Sequence, residues 1–283
     1  MAGAGLIAIK RRINSVSNTR KITKAMGLVA TAKLRKNREK LLFNEKFYTS
    51  TIEVMKNLLD NLEEKSIYTH GNKSKKKLYI VLTSETGLCG AFNGNVINEA
   101  LEKIKDEKSE SLIMVVGQKG KNTFNRLKYQ TAAEYVDVPD VPTGKEAAII
   151  ANHALSLFKG GEIGEIYIVY TMFTSAVKMT VLTDKLLPVP FYSGHNASSS
   201  TKFEPKIENM LDDYANLYMK ECIMYNLLNS KASEHATRMN SMDSSTKNAN
   251  DLIDKLKLKY NRIRQGAITQ EISEIVGGAE AQK

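Results

Sequence analysis

Two cysteines and four histidines are the side chains in this 283-residue sequence best suited to nucleophilic or metal chemistry, and their placement supports neither. Cys89 lies in SETGLCGAFN, Ser84 to Asn93, between an apolar run and a helical one. In open α/β sheets such a position receives anions, and a helix N-terminus there favours a thiolate. No histidine is tied to it by a motif, so the segment reads as a tight, glycine-dependent turn that buries its thiol. His70, His153, His195 and His235 are scattered without metal-ligand spacing. His235 falls among small residues of a long helical stretch, where a packing or polar-layer role is expected. The phosphate-loop pattern GxxxxGK[ST] does not occur, since Gly144-Lys145 is followed by Glu146 and Gly120-Lys121 by Asn122. Gly3-Ala4-Gly5 lacks the third glycine of a dinucleotide fingerprint. Glu271 and Glu274, on neighbouring faces of the last helical stretch, read as solvated or interface carboxylates. Catalysis by this chain alone is not expected, nor is a cofactor, a metal or a direct small-molecule substrate.

Charge is more informative than reactivity. Net charge is +10, and residues 1 to 40 hold eleven Lys/Arg against the single acid Glu39, so the rest of the chain sums to zero. A basic segment so confined implies a localised acidic partner. No apolar run approaches the roughly 18 residues that cross a bilayer, which points to a chain that is neither integral nor exported. Two cysteines without dense pairing fit a reducing, cytosolic setting.

The elements that carry these residues are set by glycine and proline. All five prolines lie between Pro139 and Pro205, Gly27 is the sole glycine between Leu6 and His70, and Lys206 to Gln265 contains neither residue. Two uninterrupted helices of about 55 to 60 residues are predicted. At about 1.5 Å per residue each spans roughly 80 to 90 Å. Tyr48, Ile52, Met55, Leu59 and Leu62 step by heptad spacing, and Ile207, Met210, Tyr214 and Leu217 answer them, followed by Met224, Leu228, Leu252, Leu256 and Ile263. Joined to one central domain, the helices must run antiparallel, with paired positions summing to about 269. That sets Met55 by Tyr214, Leu41 by Leu228 and Val16 by Ile253. It also sets Ala30, Thr31 and Ala32 against Ala232, Ser233, Ala236 and Thr237. The C-terminal stretch then overhangs as a single helix, with Ile268, Ile272, Ile275 and Val276 in need of a foreign surface, and Gly277-Gly278 is expected to stop it.

Between the helices, KLYIVLT (77–83), SLIMVVG (111–117) and EIYIVYT (165–171) are β-branched runs suited to buried parallel strands. Helical stretches at 92–105, 119–127 and 144–158 alternate with them, the pattern of a doubly wound, Rossmann-like α/β domain. Residues 176 to 186 are expected to add an antiparallel strand, and 195 to 202 form a Ser-rich loop. The expected organisation is an N-terminal shaft helix over 1–65, the α/β domain over 66–205 and a C-terminal shaft helix over 206–283.

At both ends the sequence resembles the gamma subunit of F-type ATP synthases, of the bacterial type. IKRRINSVSNTRKITKAMGLVATAKLRK (9–36), SKASEHATRMNSM (230–242) and NRIRQGAITQEISEIVGGAEA (261–281) are similar to that family's terminal helices, and the Gly-Leu-Cys-Gly turn at 87–90 also belongs to it. Glu85-Thr86 stand where the family commonly has Asp-Arg, Ala91 where Gly is common, and Gly27 where a helix-forming polar residue is usual. The resemblance implies a non-catalytic rotor shaft that couples ion flow, proton or sodium, through a membrane c-ring to the catalytic beta subunits. Implied partners are the alpha, beta, epsilon and delta subunits and the c-ring, at the cytoplasmic side of the cell membrane. It further implies that Lys21, Lys24, Met26, Arg262, Arg264, Gln265, Thr269 and Glu271 line contacts to the beta subunits, and that Ile272, Ile275 and Val276 form the apolar tip in its bearing. The rival expectation, a basic coiled-coil arm that binds nucleic acid, lacks the aromatics expected among the charges of residues 1 to 40.

Overall fold

The computed structural model describes residues 2–62, 65–105, 109–190 and 203–280, with side chains from residue 5 onward; the Ser-rich loop at 195–202 lies outside them. Contacts divide the chain into two units, Ala30–Arg238 and Met1–Val29 with Met239–Lys283. Helices α1 (Ala2–Asp60) and α6 (Ile207–Glu280) each contribute to both.

In the unit Ala30–Arg238 the strands are β1 (Lys77–Leu82), β2 (Ser111–Val116), β3 (Ala133–Tyr135), β4 (Glu165–Phe173) and β5 (Met179–Leu187). They form one sheet in the order β3-β2-β1-β4-β5, parallel except for β5, which pairs antiparallel with β4. Side chains alternate across the pleat. Leu78, Ile80, Leu82, Ile166, Ile168 and Tyr170 join one core with Met55, Leu59, Ala154, Phe158, Met219 and Ile223, so α1, α5 (Gly144–Lys159) and α6 cover that face. Tyr79, Val81, Ile113, Val115 and Val169 pack with Val96, Ala100 and Phe124, which places α3 (Phe92–Ile104) and α4 (Gln118–Arg126) on the other. A doubly wound α/β arrangement follows from helices on both faces of a mainly parallel sheet. The short α2 (Ile67–His70) is started by the capping box of Ser66 and Thr69. β3 and α2 have no counterpart in the expected elements, being too short for periodicity to register.

Within this unit α6 has two working faces. Tyr214 donates its hydroxyl to Thr51 O at 3.1 Å, Asn44 donates to Glu221 Oε2 at 3.1 Å, and Tyr48 stacks on Tyr225 with ring centroids 4.1 Å apart. These contacts to α1 straddle the expected antiparallel register by one turn on either side. From its other face Tyr218 donates to Leu186 O at 3.3 Å, so α6 contacts both α1 and the sheet. Ala30 is buried, but Thr31 and Ala32 are exposed, which corrects the expectation that all three face α6. At about 100° per residue only one of three consecutive helical positions can occupy a narrow seam, and here it continues through Leu34, Asn37 and Leu41.

The unit Met1–Val29 with Met239–Lys283 is a pair of antiparallel helical segments. Val16, Ala249 and Ile253 form its buried cluster, with Leu256 packed against it. The Thr23 and Thr246 hydroxyls lie 2.7 Å apart, and Arg20 donates to Asn250 Oδ1 at 3.2 Å. A Cβ on Gly27 would sit 3.5 Å from that of Met242. These pairs fall on the expected register. The Gly277-Gly278 stop does not: α6 continues to Glu280. Glycine costs about 1 kcal/mol of helix propensity, but extending an existing helix avoids the nucleation penalty, so two glycines do not suffice to end it.

Candidate functional site

A doubly wound sheet offers its ligand crevice outside the carboxyl ends of the strands, where the chain reverses direction of winding. In this sheet that place lies between β1 and β4, and the chain fills it itself. Ser233 of α6 donates to Thr171 O at 3.2 Å, and Phe173 N donates to Asn229 Oδ1 at 3.2 Å. Arg238 reaches the turn after β1, donating to Gly87 O at 3.2 Å and to Thr86 O at 3.0 Å and Oγ1 at 3.2 Å. A guanidinium that could meet a phosphate is spent on backbone carbonyls. The turn is closed internally: Ser84 N donates to Asn93 Oδ1 at 2.9 Å, while Asn93 Nδ2 donates to Ser84 Oγ at 2.7 Å and Cys89 Sγ at 3.3 Å. Cys89 is buried, with Leu88 and Gly90 at φ 61° and 56° making the tight bend around it. The thiol serves the turn and is not presented to a substrate. Cys222 is wholly enclosed, and burial pushes its thiol up to about 12.

Beside the crevice lies a buried layer of charge. Glu234 is 2% exposed and holds Lys231 Nζ at 3.1 Å on one oxygen and Arg238 Nη2 at 2.8 Å on the other. His235, 1% exposed, has Nδ1 3.2 Å from Arg238 Nη1. A guanidinium can only donate, so Nδ1 accepts and the imidazole proton sits on Nε2. That Nε2 is 3.5 Å from Asp140 Oδ1, beyond hydrogen-bond range, and has no hydrogen-bond partner among the described residues. Burial holds the His235 pKa below the ordinary histidine value, with Glu234 opposing and Arg238 reinforcing. Asp140 receives Lys33 Nζ at 2.6 Å, and its carbonyl accepts from Asn37 Nδ2 at 2.8 Å. Burial pushes the Asp140 carboxyl up, but the Lys33 ammonium outweighs it and leaves the group below its usual value.

Asp140, Glu234 and His235 bring ligand atoms within 4.8 Å of one another. Lys33, Lys231 and Arg238 already occupy both carboxylates, so the cluster is cationic before any ion is added. The arrangement is an ion-pair network rather than a metal seat. Sequence reasoning missed it, apart from the polar-layer expectation for His235. The available signal was spacing: Lys231–Glu234 and Glu234–Arg238 are i,i+3 and i,i+4 pairs set in a stretch of Ala and Ser, and Asn37 takes a heptad core position after Ala30 and Leu34.

The residues expected to meet partners all belong to the helix-pair unit. Lys21, Lys24, Arg262, Arg264, Gln265, Thr269 and Glu271 are exposed, and Met26 is half-buried. Thr269 donates to Gln265 O at 3.0 Å within its own helix. Ile272, Ile275 and Val276 are 57%, 71% and 53% exposed and lie at i, i+3 and i+4 on one face of α6. On α1, Ile22, Leu28 and Val29 are 60%, 65% and 53% exposed among the basic side chains. Apolar area left wet beside uncompensated positive charge is a surface for protein partners. No helix among the described residues is long and apolar enough to cross a membrane.

The profile of the family described as ATP synthase matches residues 5–282. The ATP synthase gamma chain of Clostridium pasteurianum is 54% identical over 284 aligned positions, covering 99% of each chain. Among solved structures, a chain from the central stalk and c-ring of the Tetrahymena thermophila mitochondrial ATP synthase is 25% identical, with a TM-score of 0.63 over 79% of this chain and 98% of that one. A chain from the Euglena gracilis mitochondrial ATP synthase, 19% identical, shares the fold with a TM-score of 0.73 over 99% of this chain and 95% of that one.

Proposed function

The chain belongs to the ATP synthase gamma-chain family, and from that premise we propose that it is the turning shaft that couples ion flow through a membrane ring to the cycling of catalytic sites on other subunits. The observation that carries the reading is geometric: α6 occupies the sheet's own ligand crevice, so the chain acts through its surfaces. Coupling of this kind is differential contact. Each orientation of an asymmetric helix pair must favour one conformation of each surrounding site, and the free energy exchanged is the difference in those contacts.

In this reading Lys21, Lys24, Met26, Arg262, Arg264, Gln265, Thr269 and Glu271 face acidic and polar loops of the beta subunits, and Ile272, Ile275 and Val276 run in an apolar bearing. Alpha and delta subunits complete the surrounding assembly. The α/β domain, residues 66–205, meets epsilon and the c-ring, and on α1, within the unit Ala30–Arg238, the strip of Leu42, Phe43 and Phe47, exposed by 55%, 85% and 49%, supports further protein contacts. The complex holds the chain peripherally at the cytoplasmic side of the cell membrane.

The test is the double variant Lys21→Glu/Lys24→Glu in the assembled complex. ATP-driven ion pumping into inverted vesicles is expected to fall by more than ATP hydrolysis does, with the complex still assembled. Unchanged pumping, together with RNA binding that weakens about 10³-fold between 50 and 200 mM salt, would overturn the shaft reading.

A further inference from the structure

We infer that the buried charge layer on α6, Lys231, Glu234 and Arg238 with His235 beside them, is a positioning joint that fixes the rotation and axial register of α6 against the sheet and α1. The inference rests on the shaft reading, because only an element under torsional load needs such a lock. Next to the layer Ala232 and Ala236 are fully buried and carry no side chain long enough to interlock, and the bonds to β4 there are single ones, Ser233 donating to Thr171 O and Asn229 accepting from Phe173 N. Burial of small apolar groups is non-directional and resists sliding or twisting weakly. Arg238, by contrast, makes three bonds of 3.0 to 3.2 Å to the turn after β1. A slip of one residue, about 1.5 Å along the axis and about 100° around it, would turn Arg238 away from the position that these three bonds require.

The layer also links four separate segments. Glu234 is gripped on both oxygens by its own helix, which orients Arg238 toward the turn. His235 accepts from Arg238 and points Nε2 at Asp140 in the loop before α5. Asp140 in turn takes Lys33 and Asn37 of α1. Such a network is a costly way to gain stability, since well-packed apolar residues of similar volume do as well or better. Its best attested use is to specify register. The orphaned atoms His235 Nε2 and Asn37 Oδ1 are the residual cost of that arrangement.

The test uses the complex immobilised through its beta subunits, with a probe on Val177→Cys, a turn position 90% exposed in a chain whose own cysteines are buried. The apolar replacement Lys231→Met/Glu234→Leu/Arg238→Met removes the directional bonds and keeps the volume. Angular variance of the probe during each catalytic pause is expected to at least double relative to the parent, with the melting temperature of the complex unchanged within a few degrees. Asp140→Asn, at a half-exposed site that tolerates the change, is expected to widen the pauses in the same direction by less. Pauses as sharp as the parent's in the folded triple variant would overturn the joint. Should the triple variant not assemble, unchanged pauses in Asp140→Asn overturn it alone. A parent probe that stays still while ATP is hydrolysed removes the shaft reading, and the joint with it.

Discussion

His235 is the side chain on which pH should act most clearly. It is buried neutral, accepts from Arg238 on Nδ1, and is faced by Lys231, Glu234 and Asp140, with Lys33 behind the last. Because its folded pKa is held below 6.5, the unfolded chain takes up a proton first as pH falls. Stability is therefore whole above about 6.5 and declines below it toward the folded value, as the sign of proton linkage requires. Asp140, also depressed, contributes loss only below its ordinary 3.8, under the range from about pH 7.5 to 5.5 in which His235 is tested. Urea midpoints at pH 7.5, 6.5 and 5.5 should fall across the series in the parent chain and fall less in His235→Gln. An equal slope in both would show that His235 does not titrate as described. A steric prediction belongs at the same scale. Gly117, at φ +100°, would place a Cβ 2.4 Å from Thr83 O, against backbone that cannot yield. Gly117→Ala should cost about 3 kcal/mol in denaturant unfolding, combining left-handed strain with overpacking, and a loss below about 1 kcal/mol would contradict the geometry.

At the scale of elements, the register of the helix pair is the sharpest statement. The Thr23 and Thr246 hydroxyls are 2.7 Å apart, so Thr23→Cys/Thr246→Cys should oxidise readily to an intramolecular disulfide. Cysteines at 23 and 253, one heptad away, should not, and the opposite outcome would refute the register. That register was legible in the sequence because heptad spacing is a long-range signal repeated over many turns. Strands β1, β2 and β4 were legible for a similar reason: each is a β-branched run bounded by turn residues and buried on both faces. β3 was not, since Ala133, Glu134 and Tyr135 are only half-buried and give no alternation to read. The end of α6 is not legible from Gly277-Gly278, because glycine is only a modest cost to a helix already formed. The polar joint was hidden for another reason. Lys, Glu and Arg at helical spacing ordinarily mark a solvated face, and the partners that bury these, Asp140 and the turn at Thr86, come from distant parts of the chain.

For the molecule as a whole, charge and burial describe two kinds of work. In the unit Ala30–Arg238 the polar groups of α6 are turned inward and bonded mostly to the chain itself, Ser233, Asn229 and Arg238 reaching the ends of the strands where a nucleotide would otherwise sit. In the helix-pair unit the seam is thin and the outer surface is basic and partly apolar, which leaves its contacts to be made elsewhere. Residues 1–40 and 229–268 together carry nineteen Lys/Arg against five acids. Self-repulsion of that size favours an acidic surround, and the partner surfaces proposed above are such a surround. The central claim is that this chain turns as one shaft when ATP is hydrolysed by its partners. Its most direct test is to hold the complex by its beta subunits, label Val177→Cys and follow the label with ATP present and absent. The account predicts rotation in one direction that starts with ATP and stops without it. A label that stays at fixed angle while the same complexes hydrolyse ATP would contradict it.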